Sequence, residues 1–169
     1  PLKPDKGVLV QVTLNAQTMT LEDVPLDEGY ASESVTAKDI NGKEITFGGQ
    51  TGKTQIIISS PYLDQNNLGE FDTIFNSEDL KMENVEKYFL LASKEDAKVA
   101  TDIPLLFDEE ELFGDEYGVR ISDGELEQKL TKSLFIISKD GAIFYEDIPR
   151  DLSTPFEVDK IYQKTVAAL

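Results

Sequence analysis

The run Gln55–Ser60 constrains the fold more than any other part of the sequence, because it places Ile56, Ile57 and Ile58 in succession. Consecutive β-branched residues favour an extended strand, and the lack of polar alternation predicts that both faces of this strand are buried. Pro61 follows directly and stops the strand. Because a strand covered on both faces needs structure on either side, the run predicts the central strand of an α/β domain.

Further segments with strand and helix patterns surround this central strand. Alternation and turn signals predict other strands at Val8–Leu14, Thr18–Leu21, Ser34–Ala37, Glu44–Phe47, Tyr88–Ala92, Leu105–Phe107, Leu134–Ile137 and Ile143–Glu146. Helical spacing predicts helices at Asn67–Asn76, before Gly118 and in the tail Pro155–Leu169, with one or two helical turns in Lys94–Ala100. The late hairpin is antiparallel, so we expect a mixed sheet, and no linker divides residues 1–169, so we expect a single domain.

Two of these helices carry an apolar face that indicates their core side. Leu68, Phe71 and Phe75 recur at spacings of three and four residues in the first one. The tail has a looser helical pattern formed by Phe156, Ile161, Val166 and Leu169. We expect Leu68 and Phe71 to pack into the core, since an apolar helical face is usually buried.

The 169 residues contain neither cysteine nor histidine. Without cysteine the chain forms no disulfide, no thiolate metal site and no thiol nucleophile. Without histidine it lacks the commonest general base near neutral pH. Any chemistry that depends on a thiol nucleophile is therefore excluded for these residues.

The charge is strongly negative, with 33 acidic against 16 basic residues and a net charge of −17. Nucleic acids and anionic lipids need a cationic surface, so we expect neither as a partner. The charge suits solubility, a basic protein partner or a hard cation. No apolar run is long enough to span a membrane, and no signal peptide is visible. We expect a cytoplasmic protein, although a chain that begins with Pro1 rather than Met leaves the compartment open.

Two segments resemble ligand-binding loops without completing the pattern. Gly48–Thr54 resembles a phosphate-binding P-loop, but Phe47 stands where the first glycine belongs, and a strand rather than a helix is predicted to follow. Asp64–Gly69 resembles the start of a calcium loop, but Leu68 and Phe75 occupy the fifth and twelfth positions, where ligands are required. We expect both segments to be structural turns.

The segment Gly52–Asp64 resembles the central strand and active-site loop of the peroxiredoxins, most closely those of their thiol peroxidase branch. In that branch a Gly-Lys turn enters a buried strand, and the pattern Pro-Ser-Ile-Asp-Thr-x-x-Cys follows. Here Pro61 and Asp64 keep their places, and Leu63 replaces the isoleucine.

Other segments resemble the same family in the same order along nearly the whole chain. They are the opening hairpin Gly7–Leu21, the first core strand and turn at Ala31 and Ala37–Ile40, the helix end Phe113–Val119, the hairpin Ser133–Tyr145 and the helix start Thr154–Phe156. The resemblance implies a thioredoxin-like fold, in which helices flank a central mixed β-sheet and an N-terminal β-hairpin precedes it.

The resemblance also implies where the family's chemistry takes place. In the family a helix-start cysteine attacks the peroxide, a threonine orients the peroxide, and an arginine lowers the pKa of the cysteine. These positions fall on Leu68, Gln65 and Lys132, which with Pro61 and Asp64 we call the degenerate site. Leucine has no lone pair, and lysine lacks the fixed donor fork of arginine. We therefore assign no catalytic residue, cofactor or metal ligand.

Several functions remain open at this point. The favoured hypothesis is a peroxiredoxin-like protein that has lost the peroxidatic cysteine and is retained as a binding or structural module. Family similarity by itself implies a thiol peroxidase-type antioxidant oxidoreductase, and the negative charge suits an acidic partner-binding or cation-binding protein. The resemblance also implies a homodimer, for which Tyr62, Tyr88 and Tyr117 are candidate interface residues.

Overall fold

The computed structural model describes residues 9–169 of the chain. These residues form nine strands: β1 Gln11–Leu14, β2 Gln17–Thr20, β3 Val35–Lys38, β4 Glu44–Phe47, β5 Thr54–Ser59, β6 Val85–Leu91, β7 Leu105–Phe107, β8 Ser133–Ile137 and β9 Ile143–Asp147. They also form three α-helices, α1 Leu68–Asn76, α2 Leu112–Tyr117 and α3 Val158–Ala167, and short 3-10 turns at Glu78–Leu80 and Lys94–Asp96.

Seven of the strands form one mixed sheet in the order β4-β3-β7-β6-β5-β8-β9. Strands β5, β6 and β7 run parallel, whereas β8 pairs antiparallel with β5, and β9 pairs antiparallel with β8. The remaining two strands, β1 and β2, form a separate antiparallel hairpin near the N-terminus. The predicted mixed sheet, the late hairpin and the N-terminal hairpin are all confirmed.

Strand β5 lies inside the sheet, between β6 and β8, and all six of its residues are buried. Ile56 and Ile58 join the core layer that contains α1 and α3, whereas Ile57 joins the layer that contains α2. Successive side chains of a strand point to opposite faces, so the isoleucine run supplies both layers at once. The prediction of a strand buried on both faces is confirmed.

The apolar faces of the helices differ in part from the predicted ones. In α1 the fully buried side chains are Phe71 and Ile74, whereas Leu68 and Phe75 flank them and are only partly buried. In the tail, Phe156 and Ile161 are buried, but Val166 and Leu169 are 43% and 49% exposed. The inward positions there belong to Thr165 and Ala168, because they continue the spacing of three and four residues from Ile161.

The N-terminal hairpin is anchored to the far end of the chain, and this contact positions one side of the degenerate site. Thr13 donates its backbone N–H to the carbonyl oxygen of Arg150 at 2.7 Å, and Leu152 donates to the carbonyl oxygen of Thr13 at 2.9 Å. Leu152 also packs in a small apolar cluster with Val12. Strand β1 begins at Gln11, so the predicted strand starts too early: Leu9 and Val10 precede β1 without joining it, and Val8 lies outside the described residues.

The glycine-rich loop Gly48–Thr54 leads into β5, so it has the strand context predicted from the sequence and not that of a P-loop. Its backbone N–H groups are used within the fold. Gly48 donates to the side-chain oxygen of Gln55 at 2.7 Å, and Gly49 donates to the hydroxyl of Ser32 at 2.9 Å. Donors that are already paired inside the protein are not directed at a phosphate group.

Among residues 9–169, no helix combines the length and the apolar character that crossing a membrane requires.

Candidate functional site

The sheet brings the two halves of the degenerate site together. Strand β5 ends at Ser59 and leads through Pro61 into the loop before α1. Strand β8 begins at Ser133, which pairs directly with Ser59, so Lys132 enters the same region from the neighbouring strand. Pro61, Asp64 and Lys132 line one cavity of about 190 Å³ beside the start of α1.

The loop before α1 is held by side-chain contacts of its own. The carboxylate of Asp64 accepts hydrogen bonds from the backbone N–H groups of Asn66 at 2.9 Å and Asn67 at 3.1 Å. In return, the side-chain oxygen of Asn67 accepts the N–H of Asp64 at 2.8 Å, and its amide nitrogen donates to the carbonyl oxygen of Tyr62 at 2.9 Å. Asp64 therefore forms a structural turn, as predicted for the segment that resembles a calcium loop.

Lys132 is buried and ion-paired. Its side chain is 4% exposed, and its Nζ lies 2.7 Å from the nearer carboxylate oxygen of Glu70 in α1. Nζ also donates to the carbonyl oxygen of Thr154 at 2.6 Å and lies 4.8 Å from the ring centroid of Phe156. The same Glu70 carboxylate accepts the backbone N–H of Phe156 at 2.7 Å. We call this set of contacts the Glu70–Lys132 joint, because it ties α1 and β8 to the segment before α3.

The other two predicted positions do not line the cavity. Gln65 is exposed to solvent and is not among the residues that line the cavity. Leu68, the first residue of α1, is partly buried and packs against the apolar cluster beneath the helix. The structure therefore brings together Pro61, Asp64 and Lys132 but leaves Gln65 and Leu68 outside the cavity lining.

The cavity is small and carries a net negative charge. Its described lining contains the carboxylates of Asp64 and Glu70 and a single cation, Lys132, which Glu70 already neutralises. Its volume of about 190 Å³ lies below the usual range for ligand pockets, and would hold about six waters at the density of the liquid. Within residues 9–169, no three acidic side chains are grouped to hold a metal ion. The arrangement suits a small polar molecule without negative charge.

A titrating group lies outside this site, on strand β9. Burial, reinforced by the negative charge of Asp27, raises the pKa of Glu146 from its ordinary value of 4.5 to about 7. The folded state therefore binds more protons than the unfolded state between these pH values. The contribution of Glu146 to stability falls as the pH rises from 4.5 to about 7, and stays low above that.

We expect Glu146→Gln to stabilise the protein by about 1–2 kcal/mol at pH 8 and by less than half as much at pH 5. Solvent screening of this half-buried group keeps the effect below its full linkage value. Chemical denaturation of both proteins at the two pH values measures the difference. The exposed Glu83 provides a matched control, Glu83→Gln, with the same change of charge. A stabilisation that is equal at pH 5 and pH 8 would contradict this assignment.

Sequence reasoning missed Glu70 and the part of the cavity formed by Leu14 and Leu152. Glu70 lies 62 positions from Lys132, and no local pattern links the two residues. A basic residue next to a predicted buried strand does indicate that an acidic partner exists somewhere, since buried charges are paired. Which acid supplies that partner depends on the packing of α1 against β8.

No family model matches the chain, but its sequence is similar to that of a known protein. The chain is 30% identical to the thiol peroxidase of Campylobacter jejuni, over 76% of this chain and 75% of that protein.

The fold is similar to that of two solved structures. The peroxiredoxin-like protein from Aquifex aeolicus superposes with a TM-score of 0.82 at 21% identity, over 94% of this chain and 97% of that one. Thiol peroxidase from Chromobacterium violaceum superposes with a TM-score of 0.71 at 13% identity, over 91% and 94%. The thioredoxin-like fold is therefore confirmed. With 30% identity to a thiol peroxidase across three quarters of both sequences, this chain belongs to the peroxiredoxin superfamily, as a cysteine-free member.

Proposed function

We propose that this chain does not reduce peroxides and serves as a binding module built on the peroxiredoxin fold. The observation that carries the proposal is Leu68 at the position that matches the family's peroxidatic cysteine, in a chain without any cysteine. Peroxide reduction by this family requires a thiolate that attacks one peroxide oxygen and releases the other as water or alcohol. A leucine side chain has no electron pair to donate, so the first bond of that reaction does not form.

The electrostatics of the degenerate site support the same proposal. A cation near the reacting sulfur favours the thiolate, because opposite charges lower the pKa of an acid. Here Lys132 is paired with Glu70 at 2.7 Å and also donates to the carbonyl oxygen of Thr154. With its charge matched by a carboxylate, Lys132 is poorly suited to stabilise a second anion. The joint instead connects α1 and β8 to the segment before α3, which is a structural role.

A peroxidase assay tests the proposal. The purified protein, mixed with hydrogen peroxide or an organic hydroperoxide and a thioredoxin system or dithiothreitol, is expected to consume no peroxide above the rate in buffer. A cysteine-containing thiol peroxidase, assayed in parallel, verifies the reagents. Turnover that co-elutes with this protein on size-exclusion chromatography would overturn the proposal and favour an antioxidant oxidoreductase, the function that family similarity alone suggests.

A second candidate function is docking to a basic protein, which the net charge of −17 favours. Such binding weakens steeply as the ionic strength rises, because salt screens exposed charges.

A second copy of the chain is the alternative partner, and sedimentation of the protein alone at low and high salt tests whether it forms a homodimer. Tyr117, one of the candidate interface residues, is fully buried and stacks on Phe113, so its assignment to an interface was wrong. Tyr88 and Tyr62 are partly buried and remain candidates.

A further inference from the structure

A large apolar recess lies beside the sheet, away from the degenerate site, and the short strand β7 creates it. The ladder between β6 and β7 begins at the pair Phe89–Leu105, so β7 does not extend alongside the first half of β6. The chain that precedes β7 crosses this region without a regular helix between residues 97 and 104. We call the resulting space, between the start of β6 and the turn that joins β3 to β4, the β6–β7 recess.

The recess has the size and the lining of a ligand pocket. Its volume is about 690 Å³, within the range of small-molecule sites, and it shares no lining residue with the smaller cavity at the degenerate site. Most of the lining is aliphatic, including Ile45, Val99, Ile103 and Leu106. Ile40, at the edge, is 61% exposed. An apolar surface of this extent in contact with water favours an apolar occupant.

The charged residues around the recess indicate which charge a bound molecule would carry. Lys87 and Lys94 line it, and neither forms an ion pair with any described residue. The ammonium of Lys87 donates to the carbonyl oxygen of Phe75 at 3.2 Å and lies 5.8 Å from the centroid of the Phe75 ring, and burial lowers the pKa of Lys87. A bound anion would stabilise the charged form of Lys87 and so offset this cost of burial. No acidic residue in the described part of the chain forms an ion pair that does so.

The one acidic residue in the described lining, Asp39, is already engaged. Its carboxylate accepts the backbone N–H groups of Asn41 and Lys43, both at 2.9 Å, and so holds the turn between β3 and β4. Two lysines without acidic partners beside an aliphatic recess contrast with a chain whose net charge is −17. This contrast separates the recess from the general surface, which repels anions.

We propose that the β6–β7 recess binds a single-chain amphiphile with an anionic headgroup, such as a long-chain carboxylate. The hydrocarbon tail lies against Ile45, Ile103 and Leu106, and the headgroup accepts hydrogen bonds from Lys87 or Lys94. A second copy of the chain suits the recess less well, because two surfaces of the same strongly negative protein repel each other. This binding is independent of whether the degenerate site reduces peroxide.

Calorimetric titration below the critical micelle concentration tests the proposal with four probes. One dodecanoate molecule is expected to bind per chain. Butanoate, which lacks the long tail, and dodecyltrimethylammonium, which has a positive headgroup, are each expected to bind about tenfold more weakly or not at all.

The double variant Lys87→Gln/Lys94→Gln should weaken dodecanoate binding about tenfold and leave binding of the neutral dodecanol unchanged. Lys139→Gln removes one exposed charge in the turn between β8 and β9, and should change neither. Ile45→Asp should weaken binding of both dodecanoate and dodecanol, and thermal melting confirms that each variant is folded.

Three results would overturn the proposal. The first is equal affinity for the anionic and the cationic long-chain probe, which would indicate adsorption to apolar surface without a headgroup site. The second is dodecanoate binding that is unchanged in Lys87→Gln/Lys94→Gln. The third is a dimer in sedimentation that Ile40→Glu converts to a monomer, because a second copy would then occupy the recess.

Discussion

Glu70→Ala is expected to lower the free energy of unfolding by about 3–5 kcal/mol, the usual cost of removing one partner of a buried ion pair. The substitution leaves the ammonium of Lys132, whose side chain is 4% exposed, with no carboxylate partner. The backbone N–H of Phe156 also loses its acceptor, and an unsatisfied buried donor adds to the cost. Denaturant unfolding of the wild-type and variant proteins measures the difference.

Two controls isolate the role of the joint. Glu78→Ala removes a similar contact to Lys81, at 3.1 Å, in which the side chains are 85% and 49% exposed, so its expected cost is below about 0.5 kcal/mol. The apolar double variant Glu70→Leu/Lys132→Met removes both charges and should recover most of the lost stability. If Glu70→Ala cost no more than Glu78→Ala, the joint would have no structural role and the site would be free to hold another anion.

Gly48→Ala is expected to destabilise the protein by about 3 kcal/mol, from the combined costs of a left-handed backbone and an overpacked contact. Gly48 has a φ of +78°, which residues with a side chain rarely adopt. An added Cβ would overlap the hydroxyl of Tyr117 and lie 2.5 Å from the carbonyl oxygen of Glu33. These two groups form a hydrogen bond of 2.8 Å, which the methyl group would disrupt.

Gly52→Ala is the matched control, because Gly52 belongs to the same loop and has a similar φ of +80°. Apart from Gly52 itself and its two chain neighbours, no heavy atom lies within 4 Å of the position that its Cβ would take, so only the backbone cost remains, about 1 kcal/mol. Urea unfolding of both variants separates the two costs. Equal losses would show that the close approach of Tyr117 does not require glycine at position 48.

Local sequence was sufficient to predict the strands and the tight turns. The isoleucine run gave the position and the double burial of β5, since consecutive β-branched residues favour a buried strand. Asn41-Gly42 correctly predicted the turn between β3 and β4. The helix faces were less predictable. Val166 is exposed and Thr165 is buried in α3, because the rotation of a short helix about its own axis is decided by what it packs against.

The degenerate site was likewise predictable from the sequence only in part. The loss of thiol chemistry follows from the sequence alone, because no arrangement of residues in space supplies a thiol that the chain does not contain. The ion-pairing role of Lys132 follows only from the tertiary structure, which places its ammonium against the carboxylate of Glu70, 62 positions away. The β6–β7 recess likewise exists only because β7 starts opposite the middle of β6. Backbone preference is set by sequence neighbours, whereas charge pairing and cavities are set by contacts between distant residues, which only the folded chain brings together.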